Sequence, residues 1–282
     1  MIRLLLLPLI SLFVLPASAL ADEITESFDV GGRTLKIPAP AGGFVRCDGV
    51  NAEWDKLMAT MLAASNRMLA TYGTQADQDA LRAGTPSEYA KNFNVQVIRK
   101  LETQEFGTET FAGFKDQMTK EVKSAMANAE KEINEVMAKG SRELSDKTGV
   151  DAALSVSDTA MLGIFHEDSK SFGFTMALKL NVTTPKGTKV MKSVAASMMQ
   201  PVNGRLVLFY ATQPYASDAD RKEAEASVKA WADAAFAANP QVKGPPARRG
   251  LFDGAGRSGL IGAIAGVVVM AIRRMLKKKV SG

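Results

Sequence analysis

The chain has 282 residues, 46% of them hydrophobic, with 35 Lys and Arg against 30 Asp and Glu. Its length suits one large domain or two small ones, and its apolar fraction is that of a globular protein with a core. Seven of the basic residues lie before residue 22 or after residue 253, outside the stretch that holds all 30 acidic residues, so the middle of the chain is nearly neutral. A neutral domain has no long-range field to attract polyanions, and we therefore expect no nucleic-acid partner.

Residues 1–21 have the three parts of a secretory signal peptide. Arg3 supplies the positive charge, and residues 4–15 are apolar but shorter than the ~20 residues of a membrane span. The small residues Ala19 and Ala21 lie at the −3 and −1 positions of the cleavage site. The pattern predicts that the chain is exported and that the mature protein begins at Asp22. The small residues at 17–19 offer a second cleavage site.

An extracytoplasmic domain over residues 22–240 is predicted to begin with a β-hairpin. Strands at Ile24–Val30 and Arg33–Ile37 flank Gly31-Gly32, a dipeptide that tolerates the positive φ angles of a tight turn. A helix is predicted over Asn51–Ala64, because its apolar residues fall on one stripe.

Two short strands and a long helix are predicted next. Met68–Tyr72 is apolar enough for a strand, and Tyr89–Val97 alternates apolar with polar residues, which is typical of a half-buried strand. From Thr108 to Lys147 the period changes to the three-and-four spacing of an amphipathic helix. The apolar stripe of that helix is Phe111, Phe114, Met118, Val122, Ala125, Ala129, Ile133, Val136 and Met137.

The rest of the domain predicts an antiparallel meander of five strands and a last helix. The Asn203-Gly204 turn is a strong hairpin signal, and Ser217 with Asp220 resembles a capping box that starts a helix through about Asn239. This order of elements favours an α+β fold, an antiparallel sheet with helices packed on it. The five strands are Ala153–Ser157, Ala160–His166, Ser171–Val182, Thr188–Gln200 and Arg205–Thr212.

The end of the chain is predicted to enter a membrane. Residues 241–258, rich in Pro, Gly and Arg, indicate a linker, and residues 259–276 indicate one transmembrane helix whose Arg273 and Arg274 can snorkel to the interface. The basic residues 277–282 then form a cytosolic tail, since positive residues stay on the cytoplasmic side. An interfacial helix or a processed C-terminal sorting signal is the alternative for this segment.

Small residues recur at every fourth position along this segment, at Ser258, Gly262 and Gly266. Such a stripe lets two helix backbones approach closely, and we predict that it serves self-association or helix docking in the membrane. The alternative is a span that is merely rich in small residues.

Parts of the chain resemble known proteins in layout. Leu35–Phe44 followed by Asn66–Tyr72 is similar to a group of uncharacterised bacterial envelope proteins. The meander with Asn203-Gly204-Arg205 before a Trp-containing helix resembles the PsbP-like α/β/α sandwich domains. The resemblance covers the layout of residues 22–240 and implies a non-catalytic accessory or binding domain. It transfers no functional residues, and the helix from Thr108 to Lys147 would be an insertion in that layout.

The sequence carries no recognisable catalytic, cofactor-binding or metal-binding signature. His166 is the single histidine, which excludes a His-rich metal site, and a Ser-His-Asp triad would need it without any Gly-x-Ser-x-Gly nucleophile turn. Cys47 is the single cysteine, so an intramolecular disulfide is excluded, and a Cys-His pair would need Cys47 and His166 to meet in the fold. We expect no catalytic residue, no metal and no cofactor.

These patterns predict a single-pass protein of the inner membrane, with a periplasmic main domain and a cytoplasmic C-terminus. The leading function is that of an accessory protein, which binds a protein partner or scaffolds an envelope complex without catalysis. Phe44 and Trp54 are candidate partner-binding residues, although such aromatic residues are more often part of a core. The alternatives are a carrier of a small apolar or lipidic ligand and an enzyme of unrecognised type.

Overall fold

The structure is a computed structural model that describes residues 24–246, apart from 61, 63, 86–89, 116–133, 136, 143–144, 147–152 and 186. The predicted signal peptide, the predicted transmembrane helix with its basic tail, and the association residues Ser258, Gly262 and Gly266 lie outside the described residues. The described residues cover most of the predicted extracytoplasmic domain.

Nine strands, four α-helices and several shorter helical stretches are assigned within those residues. The strands are β1 (Thr25–Val30), β2 (Arg33–Pro38), β3 (Val45–Arg46), β4 (Asn66–Gly73), β5 (Asn92–Ile98), β6 (Ala153–Glu167), β7 (Phe172–Thr184), β8 (Gly187–Val202) and β9 (Arg205–Pro214). The helices are α1 (Ala52–Thr60), α2 (Gln75–Arg82), α3 (108–115) and α4 (Asp218–Ala237). A 3₁₀ helix covers Arg99–Leu101, and residues 134–135, 137–142 and 145–146 are also helical. The central part of the predicted helix Thr108–Lys147, residues 116–133, lies outside the described residues.

Seven strands form one antiparallel sheet in the order β3-β4-β5-β9-β8-β7-β6. The strands β1 and β2 pair separately as a hairpin. Strands β6 to β9 are neighbours both along the chain and in the sheet, as a meander requires, whereas β5 joins β9 at the centre. The predicted α+β class, with helices packed on an antiparallel sheet, is confirmed.

Each face of the sheet carries its own hydrophobic core. On one face, α4 and the β1–β2 hairpin pack on the central strands, and Trp231 of α4 meets Phe209 of β9 edge to face at a centroid distance of 5.0 Å. On the other face, Leu57 of α1 and Phe111 of α3 pack in a core that includes Tyr210 of β9. Successive strand residues point to opposite faces, so β9 supplies both cores.

Both predicted two-residue turns are confirmed. Gly31 and Gly32 have φ angles of +53° and +76°, and Asn203 and Gly204 have φ angles of +45° and +74°, the left-handed conformation that a type I′ hairpin turn requires. Gly31 is also needed for space, because a Cβ there would lie 2.0 Å from the backbone oxygen of Glu102. The first turn therefore packs directly against the loop that follows β5.

The structure differs from the sequence prediction at β6, which is one strand rather than two. Its pairing with β7 shifts between Ser157 and Ala160, where Asp158 has a φ angle of +48°. The polar stretch that resembles a turn is a β-bulge, and pairing with β7 continues on both sides of it.

No element was predicted between Tyr72 and Tyr89, where the structure has α2. The helix begins with a capping box, in which the Thr74 hydroxyl accepts from the backbone N–H of Asp77 and the Asp77 carboxylate accepts from the backbone N–H of Thr74. Periodicity does not reveal this helix, because Leu81 is its one large apolar residue. The Thr-x-x-Asp spacing is the signal that predicts its start.

The prediction of a half-buried strand at β5 is wrong, since all seven of its residues are buried. Phe93 and Val95 face the core of α4, while Asn94 pairs in register with Tyr210 and so faces the opposite core. The predicted alternation of apolar and polar residues is correct, but the polar face of β5 is covered by the layer of α1 and α3 instead of by water.

The bounds of α1 and α4 are close to the prediction. Helix α1 ends at Thr60, and α4 begins after Ser217, whose backbone N–H donates to the Asp220 carboxylate at 2.7 Å in the predicted capping box.

Among the described residues, no helix is both long enough and apolar enough to cross a membrane.

Residues 241–246, at the start of the predicted linker, lie against the first turn of α3. The backbone N–H groups of Thr108 and Glu109 donate to the carbonyl oxygens of Val242 at 3.0 Å and Lys243 at 2.9 Å. The first N–H groups of a helix have no partner within it, so these carbonyls cap α3. Because α4 and α3 lie on opposite faces of the sheet, this segment ties the two layers together.

Substituting Gly107 by alanine should release this segment. The added Cβ would lie 2.3 Å from backbone atoms of Lys243 and Gly244, which cannot rotate away. We expect trypsin to cleave after Lys243 roughly tenfold faster in Gly107→Ala than in the wild-type protein, because cleavage follows local opening. Gly113→Ala, at an exposed position of α3, is the control, and faster cleavage in that variant as well would contradict the prediction.

Candidate functional site

A half-open cleft of about 400 Å³ lies between α1, the loop after β3 and the outer edge of β4. Its volume falls in the range of ligand and anchor-residue sites in proteins. One wall is apolar, and the other combines apolar with polar residues. The lining residues are Asp48, Gly49, Asp55, Met58, Ala59, Leu62, Ala64, Asn66, Arg67, Met68, Leu69, Thr71 and Arg99.

The cleft follows the part of β4 that β3 does not cover. Strand β3 pairs with β4 only at its last two residues, so the outer edge from Asn66 to Thr71 borders the cleft. Two side chains hold the ends of this edge: the Asp48 carboxylate accepts from the Thr71 backbone N–H at 2.7 Å, and Arg99 Nε donates to the Asn66 carbonyl at 3.0 Å. Such caps limit uncontrolled pairing at a sheet edge.

Asp48 and Arg67, two of the charged residues that line the cleft, belong to ion pairs. Arg46 donates to the Asp48 carboxylate from Nε at 2.9 Å and from Nη2 at 2.7 Å, and it also pairs with Glu26. Burial by itself would lower the pKa of Arg46, but the hydrogen bonds and charges of the two carboxylates outweigh it and raise that pKa. Arg67 donates to Glu102 at 2.9 and 2.8 Å, and these hydrogen bonds raise the pKa of Arg67. Both pairs hold the walls of the cleft in place.

Asp55 and Arg99, the other two charged residues that line the cleft, make different hydrogen bonds. The Asp55 carboxylate accepts from the Gly49 backbone N–H at 2.9 Å. Arg99 is exposed, and the contact of its Nε with Asn66 leaves its two terminal amino groups without a partner among the described residues. Arg99 therefore brings a guanidinium with two available terminal amino groups to the cleft.

A chain of hydrogen-bonded amides leads from the cleft into the sheet. Asn66 Nδ2 donates to Gln96 Oε1 at 2.9 Å, and Gln96 Nε2 donates to Asn94 Oδ1 at 2.6 Å. Ser65 Oγ lies 3.1 Å from Asn66 Oδ1, at the outer end of the chain. Each amide donates to the next one inward, so the series ends on a donor, the Nδ2 group of Asn94.

That donor and two hydroxyls of the same sheet face, on Ser197 and Thr212, are buried without a hydrogen-bond partner among the described residues. In the sheet register, Asn94 and Ser197 flank Tyr210, and Thr212 lies two residues farther along β9. Burial raises the pKa of the Tyr210 phenol, which keeps it neutral. A buried unpaired polar atom costs about 1–3 kcal/mol, so ordered water is the expected partner of these atoms.

Phe44 and Trp54, the predicted partner-binding residues, are half-buried and lie on opposite faces of the sheet. Phe44 packs edge to face on Phe93 at 4.7 Å, in the core of α4. Trp54 packs from α1 against the opposite core and against Cys47. The structure does not join them into one surface, and neither residue lines the cleft. Their role in partner binding stays a prediction.

His166, near the end of β6, contacts the turn that leads to β7, and its contacts are not those of a catalytic triad. The Ser171 hydroxyl at 2.9 Å and the Asp168 carboxylate at 3.2 Å both contact Nε2, whereas a triad needs them on different ring nitrogens. Asp168 also accepts from the backbone N–H groups of Lys170 and Ser171. Burial alone would raise the pKa of Asp168, but these hydrogen bonds outweigh it and lower that pKa. The cluster stabilises the turn.

Cys47 and His166 lie at opposite edges of the sheet. Cys47 is buried beside β4, where its backbone N–H donates to the Thr71 carbonyl at 2.8 Å, and His166 is on β6. Five strand-to-strand spacings separate β4 from β6, about 24 Å at the usual ~4.8 Å each. The hypothesis of a Cys-His pair is therefore wrong. Among the described residues, no group of three or more His, Cys, Asp or Glu is placed to hold a metal ion.

The cleft residues were not predicted as a site from the sequence. The polar face of β5 offers one signal that could have pointed to it. Asn92, Asn94 and Gln96 are all amides, whereas a solvent-facing strand usually includes charged residues. A run of uncharged hydrogen-bonding side chains indicates a buried polar row.

Comparison with known proteins gives few matches. No protein-family model matches the chain, and no curated protein does. A solved structure of a point mutant of the protein Mog1 is similar at 11% identity and a TM-score of 0.30, over 76% of this chain and 90% of that one. The Ran-binding protein Mog1p of Saccharomyces cerevisiae is similar at 10% identity and a TM-score of 0.28, with the same coverage. Likenesses at this level carry no argument about function.

Proposed function

We propose that this chain is a membrane-anchored accessory protein of the bacterial periplasm, which binds a partner polypeptide at the cleft beside β4. Residues 1–21 direct export, and residues 259–276 hold the chain in the inner membrane with residues 277–282 in the cytoplasm. In this proposal the domain catalyses no reaction, and its task is to hold the partner close to the membrane.

The cleft is the observation that carries the proposal. It combines an apolar wall, at Met58 and Leu62, with a partly uncovered strand edge and the exposed guanidinium of Arg99. Interfaces with protein partners combine such an apolar centre with a polar rim. The resemblance to bacterial envelope proteins supports the same class of function.

Site-specific photo-cross-linking in cells tests the proposal. We place p-benzoylphenylalanine at Ala59, an exposed residue of the cleft wall, and at Ala226, an exposed residue of α4 on the other side of the sheet. Irradiation of cells that contain the full-length protein should give one discrete adduct from Ala59 and none from Ala226. The same adducts from both positions, or none from Ala59, would argue against a partner at the cleft.

A carrier of a small apolar or lipidic ligand is the second candidate. The cleft has the volume of a ligand site, and Met58, Leu62 and Met68 give it apolar surface. Mass spectrometry of an organic extract of the purified full-length protein separates the two candidates. A defined lipid that is present with the wild type and absent with Leu62→Asp would favour the carrier.

Replacing both Gly262 and Gly266 with leucine should weaken self-association of the membrane helix. The larger side chains would keep the two helix backbones apart, and close approach is the source of the attraction in such a stripe. We expect the cross-linked dimer in membranes to fall severalfold. Leucine at Ala263 and Val267, next to the stripe, is the matched control. An unchanged amount of dimer when Gly262 and Gly266 are both replaced would contradict the prediction.

A further inference from the structure

The shape of the cleft indicates which kind of polypeptide it accepts, an inference that rests on the proposed function. The uncovered part of the β4 edge runs from Arg67 to Ala70, about 10 Å at ~3.3 Å per residue, because the backbone groups of Thr71 and the carbonyl of Asn66 already have partners. The edge of a strand offers backbone groups at the spacing of another extended chain. An extended segment of about three residues therefore matches the length of this edge.

The apolar wall determines one side chain of that segment. Met58 and Leu62 are half-buried, and they line the cleft together with Met68 of β4. An extended chain between the two walls would place every second side chain on the same face. One aliphatic side chain directed toward Met58 and Leu62 would be removed from water on both sides.

The charges of the cleft determine a second side chain. Asp48 is paired with Arg46, and Arg67 is paired with Glu102, so these charges are already compensated. The Asp55 carboxylate of the cleft is held by the Gly49 backbone N–H. Arg99 is held by its Nε on the Asn66 carbonyl, with its terminal amino groups without a partner among the described residues. A guanidinium in this state is suited to a bidentate pair with a carboxylate.

We infer that the cleft binds an extended segment of a partner protein that carries one aliphatic side chain, for the Met58–Leu62 wall, and one carboxylate side chain, for Arg99. The aliphatic side chain supplies buried area and the carboxylate fixes the register along β4. Specificity then comes from the distance between the two side chains along the segment.

A defined set of fluorescein-labelled nonapeptides tests this inference with the full-length protein in detergent. Each peptide has a Ser-Thr background with one Leu and one Glu, separated by one to four residues. Fluorescence anisotropy should give the tightest binding at one separation. We expect about a tenfold loss of affinity when Glu is replaced by Gln in that peptide, or when the protein carries Arg99→Gln.

Lys100→Gln is the matched control, because Lys100 is the exposed neighbour of Arg99 and does not line the cleft. Circular dichroism of each variant confirms that its fold is intact. Equal affinity for the Glu and Gln peptides, or an equal loss with Lys100→Gln, overturns the inference. A partner adduct at Ala59 with no peptide of the set bound also overturns it but leaves the proposed function standing, whereas the absence of that adduct counts against the function itself.

Discussion

Replacing Arg205 with methionine should lower the free energy of unfolding by about 3 kcal/mol, a large share of the ~5–15 kcal/mol of an ordinary domain. Arg205 is only 6% exposed. Its guanidinium donates to the backbone carbonyls of Val30, Gly31, Gln104 and Gly204 at 2.7–3.0 Å. Methionine has a similar length but no donor, so all four carbonyls would lose this partner.

Urea unfolding of the full-length protein in detergent, followed by tryptophan fluorescence, measures this effect. Arg33→Met is the control, because Arg33 lies near the same turn but forms an exposed ion pair with Glu105 at 3.2 Å. Exposed pairs contribute about 0–1 kcal/mol. Equal destabilisation by both substitutions would mean that loss of positive charge, rather than loss of the carbonyl contacts, is responsible.

The contacts of Arg205 join three segments that are far apart in sequence. The turn of the first hairpin, the loop after β5 and the β8–β9 turn all supply a carbonyl to one guanidinium. Burial and the nearby charge of Arg33 lower the pKa of Arg205, because both disfavour its charged form. No carboxylate hydrogen-bonds to this guanidinium among the described residues, so backbone dipoles stabilise it.

The elements that the sequence predicted well are those with local signals. The hairpin turns at Gly31-Gly32 and Asn203-Gly204 need positive φ angles that few residues adopt, and Ser217 with Asp220 marks the start of α4. Such signals depend on neighbours within about four residues, and they are readable without the fold. The α+β class follows from their order along the chain.

The elements that the sequence did not predict depend on contacts between distant segments. Asn94 is polar and alternates with apolar neighbours, so only the layer of α1 and α3 above it decides that it is buried. Val242 and Lys243 lie in a stretch with the composition of a linker, yet their carbonyls cap a helix more than a hundred residues earlier. Composition indicates the structure that a segment adopts by itself. The burial of Asn94 and the capping of α3 both depend on segments that are distant in sequence.

The candidate site was hidden for the same reason. Arg99 and Asn66 are ordinary polar residues in sequence, and they meet because β4 and β5 pair. The cleft exists because β3 is only two residues long and leaves the rest of β4 uncovered. The length of an edge strand follows from its packing, which neither hydrophobic periodicity nor turn residues report.

Trp231→Ala should be the most destabilising substitution on the α4 side of the sheet, at about 4 kcal/mol. Trp231 is 3% exposed, and its ring packs edge to face on Phe209, Tyr72 and Phe93 at 5.0, 5.5 and 5.6 Å. Its Nε1 also donates to the Pro38 carbonyl at 2.7 Å, which attaches the β1–β2 hairpin to α4. Alanine would remove both the packing and the hydrogen bond.

Trp231→Phe separates these two contributions, because phenylalanine keeps most of the packing and loses only the donor. We expect a loss of about 1–2 kcal/mol in the free energy of unfolding, measured by urea titration with circular dichroism. Amide hydrogen exchange in β1 and β2 should also become faster in Trp231→Phe than in the wild type, since Pro38 is the last residue of β2. Exchange at the wild-type rate would show that the hairpin is held by the apolar contacts of Val30, Leu35 and Ile37 alone, with no contribution from the tryptophan hydrogen bond.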